Sequence, residues 1–419
     1  MKSGLYEELT GDGLLISHRE LKKSRFSDSD GCYRFIEPEL ITFISYPYEW
    51  CFSQLQDAAL ATLAVQKKAL EYGMSLKDAS FFNIQFRKAK PVFIDTLSFE
   101  KLQEDKPWIA YGQFCRHFLI PLLLASYGNP KILSMLKDNL DGVPPDMAAT
   151  LLPPSVVFNK TYLLHVALQF VGKWASRKGL INERTITIST KQVIHVVDDL
   201  IEAVQRLKLK HTVSTWNNYY NLTHYTKVAF EEKQRTVSHW VRSVNPSIIW
   251  DIGANDGRFS TSIDLKSALF ICMDSDPLAV ENCYLTSKAN STTNILPLVV
   301  DIANPTPGIG WNNNERLSLL QRSPADVVMM LALIHHLIIG QNIPLIFIIK
   351  FLHSICKYVI IEFIPKEDPK VQELLQLRHD IYSDYTKEYF EFITTKSFEI
   401  LKETSLTGSK RILYFLKAK

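Results

Sequence analysis

Beyond residue 247 the apolar residues gather into short blocks at near-regular spacing. Ile248–Ile252, Leu269–Met273, Ile295–Val300, Val327–Leu333 and Tyr358–Phe363 are strand-length and predominantly apolar, as buried strands are. Helical periodicity fills most of the gaps, most clearly at Pro277–Lys288 and Leu345–Cys356, and a shorter helix is expected near Glu315–Gln321. Strands alternating with helices predict parallel crossovers and a doubly wound sheet. The last two runs, Phe398–Leu401 and Arg411–Phe415, flank Ser405-Leu406-Thr407-Gly408-Ser409 and predict a closing antiparallel hairpin.

The first half is patterned differently. Phe52, Leu55, Ala59, Leu63, Gln66 and Leu70 recur at helical spacing and predict a helix over Trp50–Tyr72. Asn83–Phe86 and Val92–Ile94, joined by a short basic turn, predict a hairpin. A second, very apolar helix is expected over Trp108–Tyr127, interrupted by Pro121. Ser27–Gly31 reads as a polar turn, and the Pro-rich stretch from Asp141 to Pro154 as a subdomain edge. Residues 155–210 are expected to be helical, with Arg206–Lys210 on a solvated face. Trp216–Tyr225 is rich in Asn and Tyr, and Glu231–Val244 is the helix leading to the first strand. Three parts result: a mainly helical α+β N-terminal domain (1–150), a helical connector (151–215) and a Rossmann-like α/β domain (216–419) with a seven-stranded, mostly parallel sheet.

Composition narrows the class. Of 419 residues, 46% are hydrophobic and 22% charged, values of a folded globular protein. A net charge of +3 is too small to point to nucleic acid or an anionic membrane. The six cysteines form no C-x-x-C pair, so buried reduced thiols are expected rather than a disulfide framework or a metal site. The N-terminus has no apolar run behind a basic start, so no signal peptide and a cytoplasmic location are expected. Val327–Ile349 lacks Asp, Glu, Lys and Arg, yet His335-His336, Gly340-Gln341-Asn342 and Pro344 break it. A strand, a loop and a core helix explain that break better than a membrane span.

The chemistry concentrates at Asp251-Ile252-Gly253-Ala254-Asn255-Asp256-Gly257, where a buried strand enters a glycine-bearing turn ahead of a helix. A dinucleotide fingerprint would need glycine at the positions held by Asn255 and Arg258, and no Gly-Lys-Ser/Thr P-loop is present. Such a turn suits a ligand without a pyrophosphate. Asp274 closes the second strand, 23 residues after Asp251, where a carboxylate can accept hydrogen bonds from ribose hydroxyls. Asp301 closes the third, where it could receive a purine amine. Three acids at the ends of three successive strands converge on one crevice.

On these residues, 216–419 resembles the class I S-adenosylmethionine-dependent methyltransferases. Asp251–Gly257 sits at that family's first motif, with Asn255 in place of its frequent middle glycine. Met273-Asp274-Ser275-Asp276-Pro277 is similar to the second motif, Val300-Asp301-Ile302 to the third and Leu331-Ala332-Leu333-Ile334-His335-His336-Leu337 to the fourth. The resemblance implies S-adenosylmethionine as cofactor. Asp251, Gly253 and Gly257 would flank its methionine moiety, Asp274 the ribose, and Asp301 with Ile302 the adenine, with Asn255 also among the cofactor-binding residues. Leu333 would lie beside the departing methyl group, and Lys233 would meet the carboxylate. The whole chain resembles a bacterial group of two-part methyltransferases, some labelled nodulation proteins. That match covers Tyr46–Trp50, Leu76–Ala79, Pro91–Asp95 and Ile361–Lys366. That resemblance sharpens the class and not the acceptor, which is expected to be a small or carrier-linked molecule.

Methyl transfer from a sulfonium needs an in-line nucleophile held close, and a base only where the acceptor must lose a proton. His335 and His336 after the fourth strand, and Glu362 at the end of the fifth, are the catalytic candidates; one histidine could instead pack against the sheet. Tyr382 and Tyr385 could line an acceptor pocket, though a surface loop is their more natural place. The N-terminal half leaves an alternative open. Asp78-x-x-x-x-Asn83 followed by Asp95 is similar to the catalytic loop and metal-binding aspartate of kinase-fold phosphotransferases. Leu76 replaces that loop's usual histidine, and no G-x-G-x-x-G precedes it, so a degenerate kinase-like C-lobe is expected, with a phosphotransferase or bifunctional enzyme as the competing class. A non-catalytic cofactor-binding regulator is a third class.

Overall fold

The computed structural model describes residues 3–21, 34–87, 89–167, 187–210, 227–376 and 379–419. The expected turn at Ser27–Gly31, the Trp216–Tyr225 stretch and part of 155–210 lie outside them. The chain divides into two compact units, Met1–Thr212 and Val213–Lys419.

In the first unit the long helix α1 (Phe52–Glu71) forms where the periodicity places it. Its start is fixed by the Gln54 side chain, which accepts a hydrogen bond from the Cys51 N–H. Strand β1 (Met74–Leu76) follows, then the antiparallel hairpin of β2 (Ile84–Arg87) and β3 (Lys90–Phe93), then β4 (Phe99–Lys101), which pairs with β1. The apolar helix expected over Trp108–Tyr127 is built in three pieces. Tyr111–Phe114 leads into a π turn at Cys115–Leu119 and then α2 (Ile120–Tyr127). Pro121, with no N–H to give, sits where the π turn hands over to α2. Helix α3 (Thr190–Arg206) packs along α1, with an ion pair between Lys67 and Asp198 at 2.6 Å.

The second unit is the alternating one. Helix α4 (Lys227–Ser243) leads to β5 (Ile248–Ile252), α5 (Arg258–Ser262), β6 (Leu269–Asp274), α6 (Pro277–Ala289), β7 (Ile295–Val299) and β8 (Ala325–Met330). Then come α7 (Leu345–Ile355), β9 (Cys356–Phe363), α8 (Pro369–Leu375), α9 (Lys387–Thr394), β10 (Phe398–Ser405) and β11 (Ile412–Ala418). They form one seven-stranded sheet in the order β10-β11-β9-β8-β5-β6-β7. All pairings from β9 to β7 are parallel, and β11 lies antiparallel to both β9 and β10. The expected mostly parallel sheet with a closing hairpin is therefore present. Strand order reverses between β5 and β8, and ligands bind such sheets beyond the strand C-termini at that switch point. Val237, Trp240 and Val241 of α4 pack with Ile249, Phe270, Val327, Met329 and Phe415 in one buried cluster beneath the sheet.

Three expectations are corrected. No helix forms over Glu315–Gln321: Arg316 exchanges backbone hydrogen bonds with Ile309, which removes it from any helical ladder, and a single turn at Leu320–Arg322 remains. The fourth strand stops at Met330 rather than Leu333, because Ala332 takes a left-handed conformation with φ of 52°. Strand β10 runs on to Ser405; its Lys402-Glu403-Thr404 lies at the sheet edge and carries no apolar signal. The apolar run 327–349 is divided between β8, a π turn at His336–Gly340 and α7. Among the described residues no helix is long and apolar enough to cross a membrane. Five of the six cysteines are described, and all five are buried.

Gly257 and Gly408 separate two costs of a side chain. Both have positive φ, 73° and 69°, but a Cβ on Gly257 would stand 2.4 Å from Cys283 Sγ, whereas one on Gly408 meets nothing within 4 Å. Gly408→Ala should lose only the left-handed strain, about 1–2 kcal/mol. Gly257→Ala should lose that and an overpacking cost of about 1–3 kcal/mol. Urea denaturation of the two variants checks the order; equal losses would contradict the packing.

Candidate active site

The turn after β5 is held by the neighbouring strand. Gly253 and Ala254 both donate their N–H to the Met273 carbonyl, at 2.9 and 3.0 Å. The next N–H, of Asn255, donates to Asp274 Oδ2 at 2.8 Å. The second oxygen of Asp274 accepts from the Asp276 N–H at 2.9 Å. Gly253 (φ 77°) and Asn255 (φ 52°) make this path by entering the left-handed region, which asparagine tolerates better than most residues. That accounts for Asn255 standing where a glycine is frequent.

A cavity of about 420 Å³ opens over this turn, within the range of small-molecule sites. Asp251, Ile252, Gly253 and Asn255 wall it from β5, Asp274 from β6, and Asp301 with Ile302 from beyond β7. Leu333 and His336 come from the loop after β8, and Lys233 from α4. The structure thus brings most of the sequence-derived site residues to one crevice. Gly257, His335 and Glu362 are not on its wall.

The acids differ in setting. Asp251 is buried, and Ser260 donates its hydroxyl to Asp251 Oδ2 at 2.7 Å. Burial pushes its carboxyl up to about 6, opposed by the Ser260 bond and assisted by the nearby charge of Asp274. Burial likewise pushes half-buried Asp274 up to about 6, against the pull of the Asp276 and Asn255 N–H groups. Asp301 is exposed; its Oδ1 accepts from the Ala303 N–H at 2.9 Å.

Lys233 Nζ donates to Glu362 Oε2 at 2.7 Å, with side-chain exposures of 2% and 0%. Burial pushes the Lys233 ammonium down, and Glu362 is the largest influence holding it charged. A second buried pair lies nearby in the same unit: Arg411 holds Asp368 through Nε at 2.7 Å and a terminal nitrogen at 3.0 Å.

The two histidines separate. His335 is fully buried, neither ring nitrogen has a hydrogen-bond partner among the described residues, and burial pushes it well below the usual imidazole range. His336 packs against it, ring centroids 4.1 Å apart and planes tilted by 42°, and reaches the cavity; burial, then the charge of Lys370, takes it down to about 4. Tyr382 and Tyr385 lie on the loop before α9, as expected, but with their side chains buried. Tyr382 donates its hydroxyl to the Ile339 carbonyl at 3.1 Å, and Tyr385 to Ile364 at 2.7 Å. Both wall a second cavity of about 230 Å³ with Tyr389 and Phe390.

In the first unit, Asp78 accepts from the Ser80 N–H and from Gln113 Nε2, at 2.9 and 2.8 Å. Asn83 Nδ2 donates to Ser98 Oγ at 3.1 Å, and that hydroxyl donates to Asp95 Oδ2 at 2.6 Å. All three side chains fasten turns around the β2–β3 hairpin.

Sequence reasoning missed Phe230, Ser260, Gln341 and Leu374 around the cavity, and the Arg411–Asp368 pair. Phe230 lies one helical turn before Lys233 and Ser260 lies in the helix after the turn, so position relative to the motif could have found both. Arg411 gave no signal, since a charged residue before a terminal strand is ordinary.

No family model matches the chain. The nodulation protein NoeA of Rhizobium meliloti (strain 1021) is 32% identical over 414 residues, spanning 97% of this chain and 87% of that protein. Among solved structures, magnesium protoporphyrin IX methyltransferase ChlM of Synechocystis PCC 6803 with bound SAM is 15% identical, at TM-score 0.34, over 49% of this chain and 89% of its own. The bifunctional kinase-methyltransferase WbdD is 15% identical at TM-score 0.32; the match covers 45% of this chain and only 38% of WbdD. The NoeA match is to the nodulation-labelled group that the whole chain resembles.

The raised carboxyls fix a pH dependence. An acid whose folded value is raised to about 6 from 3.8 binds its proton more tightly folded than unfolded. Its stabilising contribution is therefore complete below pH 3.8 and lost as pH rises through about 6. Asp251 and Asp274 should each add on the order of 1 kcal/mol as pH falls from neutral to about 5. Asp251→Asn/Asp274→Asn should remove that gain. Denaturant unfolding across this window checks it; an unchanged pH slope in the double variant would contradict the assignment.

Proposed function

This chain belongs to the family of the nodulation protein NoeA, and we propose that it is an S-adenosylmethionine-dependent methyltransferase acting on a small or carrier-linked acceptor. The observation that carries the reading is the set of three carboxylates, Asp251, Asp274 and Asp301, on one cavity at the C-terminal ends of three adjacent parallel strands. An ionised carboxylate has about four acceptor positions. Asp274 gives one on each oxygen to a backbone N–H, so it is fixed in place yet can still accept from two ribose hydroxyls.

The remaining assignments follow the local chemistry. Asp251, ionised and steadied by Ser260, accepts from a cationic amino group. Asp301 and Ile302 stand where an adenine would meet one acceptor and one apolar side chain. Lys233 is the cation on the wall for the ligand's carboxylate. S-adenosylmethionine supplies, when bound, a methyl group activated by its sulfonium. The chain's own contribution is to orient the acceptor and, where the acceptor is a hydroxyl, to take its proton. His336, on the wall with Leu333 and Gln341, is the imidazole placed to take that proton, and its folded value of about 4 makes it a weak base. His335 and Glu362 act behind the wall, the first by packing on His336 and the second through Lys233. We read the first unit as an accessory domain, a degenerate kinase-like lobe whose Asp78, Asn83 and Asp95 serve as turn anchors.

Calorimetric titration tests the reading. S-adenosylmethionine should bind the full chain, and Asp274→Ala should weaken it by at least about tenfold, or ~1.4 kcal/mol. Binding that persists undiminished in Asp251→Ala/Asp274→Ala would place the ligand elsewhere and overturn the assignment.

A further inference from the structure

The second cavity, of about 230 Å³, is left unused by the cofactor reading. Protein interiors leave few voids larger than a water molecule, so a space of this size calls for an occupant. It reaches the surface, because Ile381 on its wall is 72% exposed. It is smaller than the roughly 300–1,000 Å³ of whole small-molecule sites, so it suits one part of a ligand. An apolar cavity of about 150 Å³ already holds benzene.

The wall is built from rings. The Phe363 ring centroid lies 5.3 Å from that of Tyr385 and 5.2 Å from that of Phe390, within the range of paired aromatics. Tyr382 and Tyr389 add two more rings. The Tyr382 and Tyr385 hydroxyls are committed to the Ile339 and Ile364 carbonyls, which leaves their rings as the surface a ligand meets. Asp384 is the one charged wall residue among those described, and it is exposed. Such a wall disfavours an ionised group and favours another ring, packed offset or edge-on.

The cavity is also joined to the first. Leu337 and Gln341 wall the first, while their neighbours Ile338 and Asn342 wall the second. Consecutive Cα atoms are about 3.8 Å apart, so at both places the two walls meet within one step of chain. The Tyr382 hydroxyl pins this segment, bonding the Ile339 carbonyl at 3.1 Å and also Asn342 Oδ1. We propose that the second cavity seats a neutral aromatic ring of the methyl acceptor, whose reactive arm crosses the 336–342 segment to reach His336 and Leu333 in the first. This rests on the methyltransferase reading and gives its acceptor a chemical class.

Two probes test it: p-cresol, a neutral ring, and n-heptanol, an aliphatic alcohol of similar size. Titrated into the full chain saturated with S-adenosylhomocysteine, p-cresol should bind at least about threefold more tightly, within the range of one ring–ring pair. Ile381→Trp, which fills the mouth from an exposed position, should weaken p-cresol by at least about tenfold and leave S-adenosylhomocysteine within about twofold. Bound p-cresol should also shift the His336 imidazole signal in histidine-labelled protein, assigned by its absence from His336→Gln. Should Ile381→Trp fail to fold, crystals of the full chain soaked in 4-bromophenol should show bromine density among Phe363, Tyr385 and Phe390. Equal binding of n-heptanol, p-cresol affinity unchanged in Ile381→Trp, bromine elsewhere, or a His336 signal that does not move overturns this inference while S-adenosylhomocysteine still binds. Failure of S-adenosylhomocysteine to bind overturns the cofactor reading, and the acceptor role of the ring site with it.

Discussion

The carboxylate of Asp274 is gripped on both oxygens by backbone N–H groups from two different turns, and the crevice depends on that grip. Asn255 reaches it from the turn after β5 and Asp276 from the turn after β6. The first bond requires the left-handed path through Gly253 and Asn255, and the Met273 carbonyl holds the start of that path. Strands β5 and β6 are thereby tied at their C-terminal ends, beside the β5–β8 switch in strand order at which such sheets bind ligands. With Asp274 displaced, the turn would lose its anchor and the β6 wall its acid.

Around this grip the unit places charge inside. Asp251, the Lys233–Glu362 pair and the Arg411–Asp368 pair all lie in or next to the apolar packing. Each needs a partner, because an isolated buried charge costs several kcal/mol even after relaxation, by order of magnitude. The partners come from distant parts of the chain: Lys233 on α4 meets Glu362 at the end of β9, and Asp368 at the start of α8 meets Arg411 just before β11. These contacts fix the helices and the closing hairpin against the end of the sheet that forms the site. Charge here supports binding geometry more than stability.

Much of this second unit was legible because its signals are local. Parallel strands buried on both faces write themselves as apolar runs, and strand-terminal acids stand out against them, so β5, β6, β7 and β9 and the three acids could be read directly. The departures have local causes too. Ala332 adopts a conformation unusual for alanine, so nothing in the run to Leu333 marks the end of β8. Arg316 forms a backbone bridge to Ile309, which no periodicity encodes. Buried partners were the hardest to see. Glu362 reads as a strand-end acid facing a crevice, and only its position against Lys233 turns it from a candidate acid–base group into a counter-ion. The two adjacent histidines are indistinguishable in sequence; burial separates one that reaches the cavity from one that supports it. Tyr382 and Tyr385 sit in a polar stretch, and their burial comes from bonds to Ile339 and Ile364 that lie outside that stretch.

The most direct test of the central claim is a crystal structure of the full chain with S-adenosylhomocysteine. Ligand density is expected in the crevice over Gly253, with both ribose hydroxyls on the Asp274 carboxylate and the amino-acid end between Asp251 and Lys233. Density elsewhere, or a crevice ligand whose ribose does not meet Asp274, would contradict it.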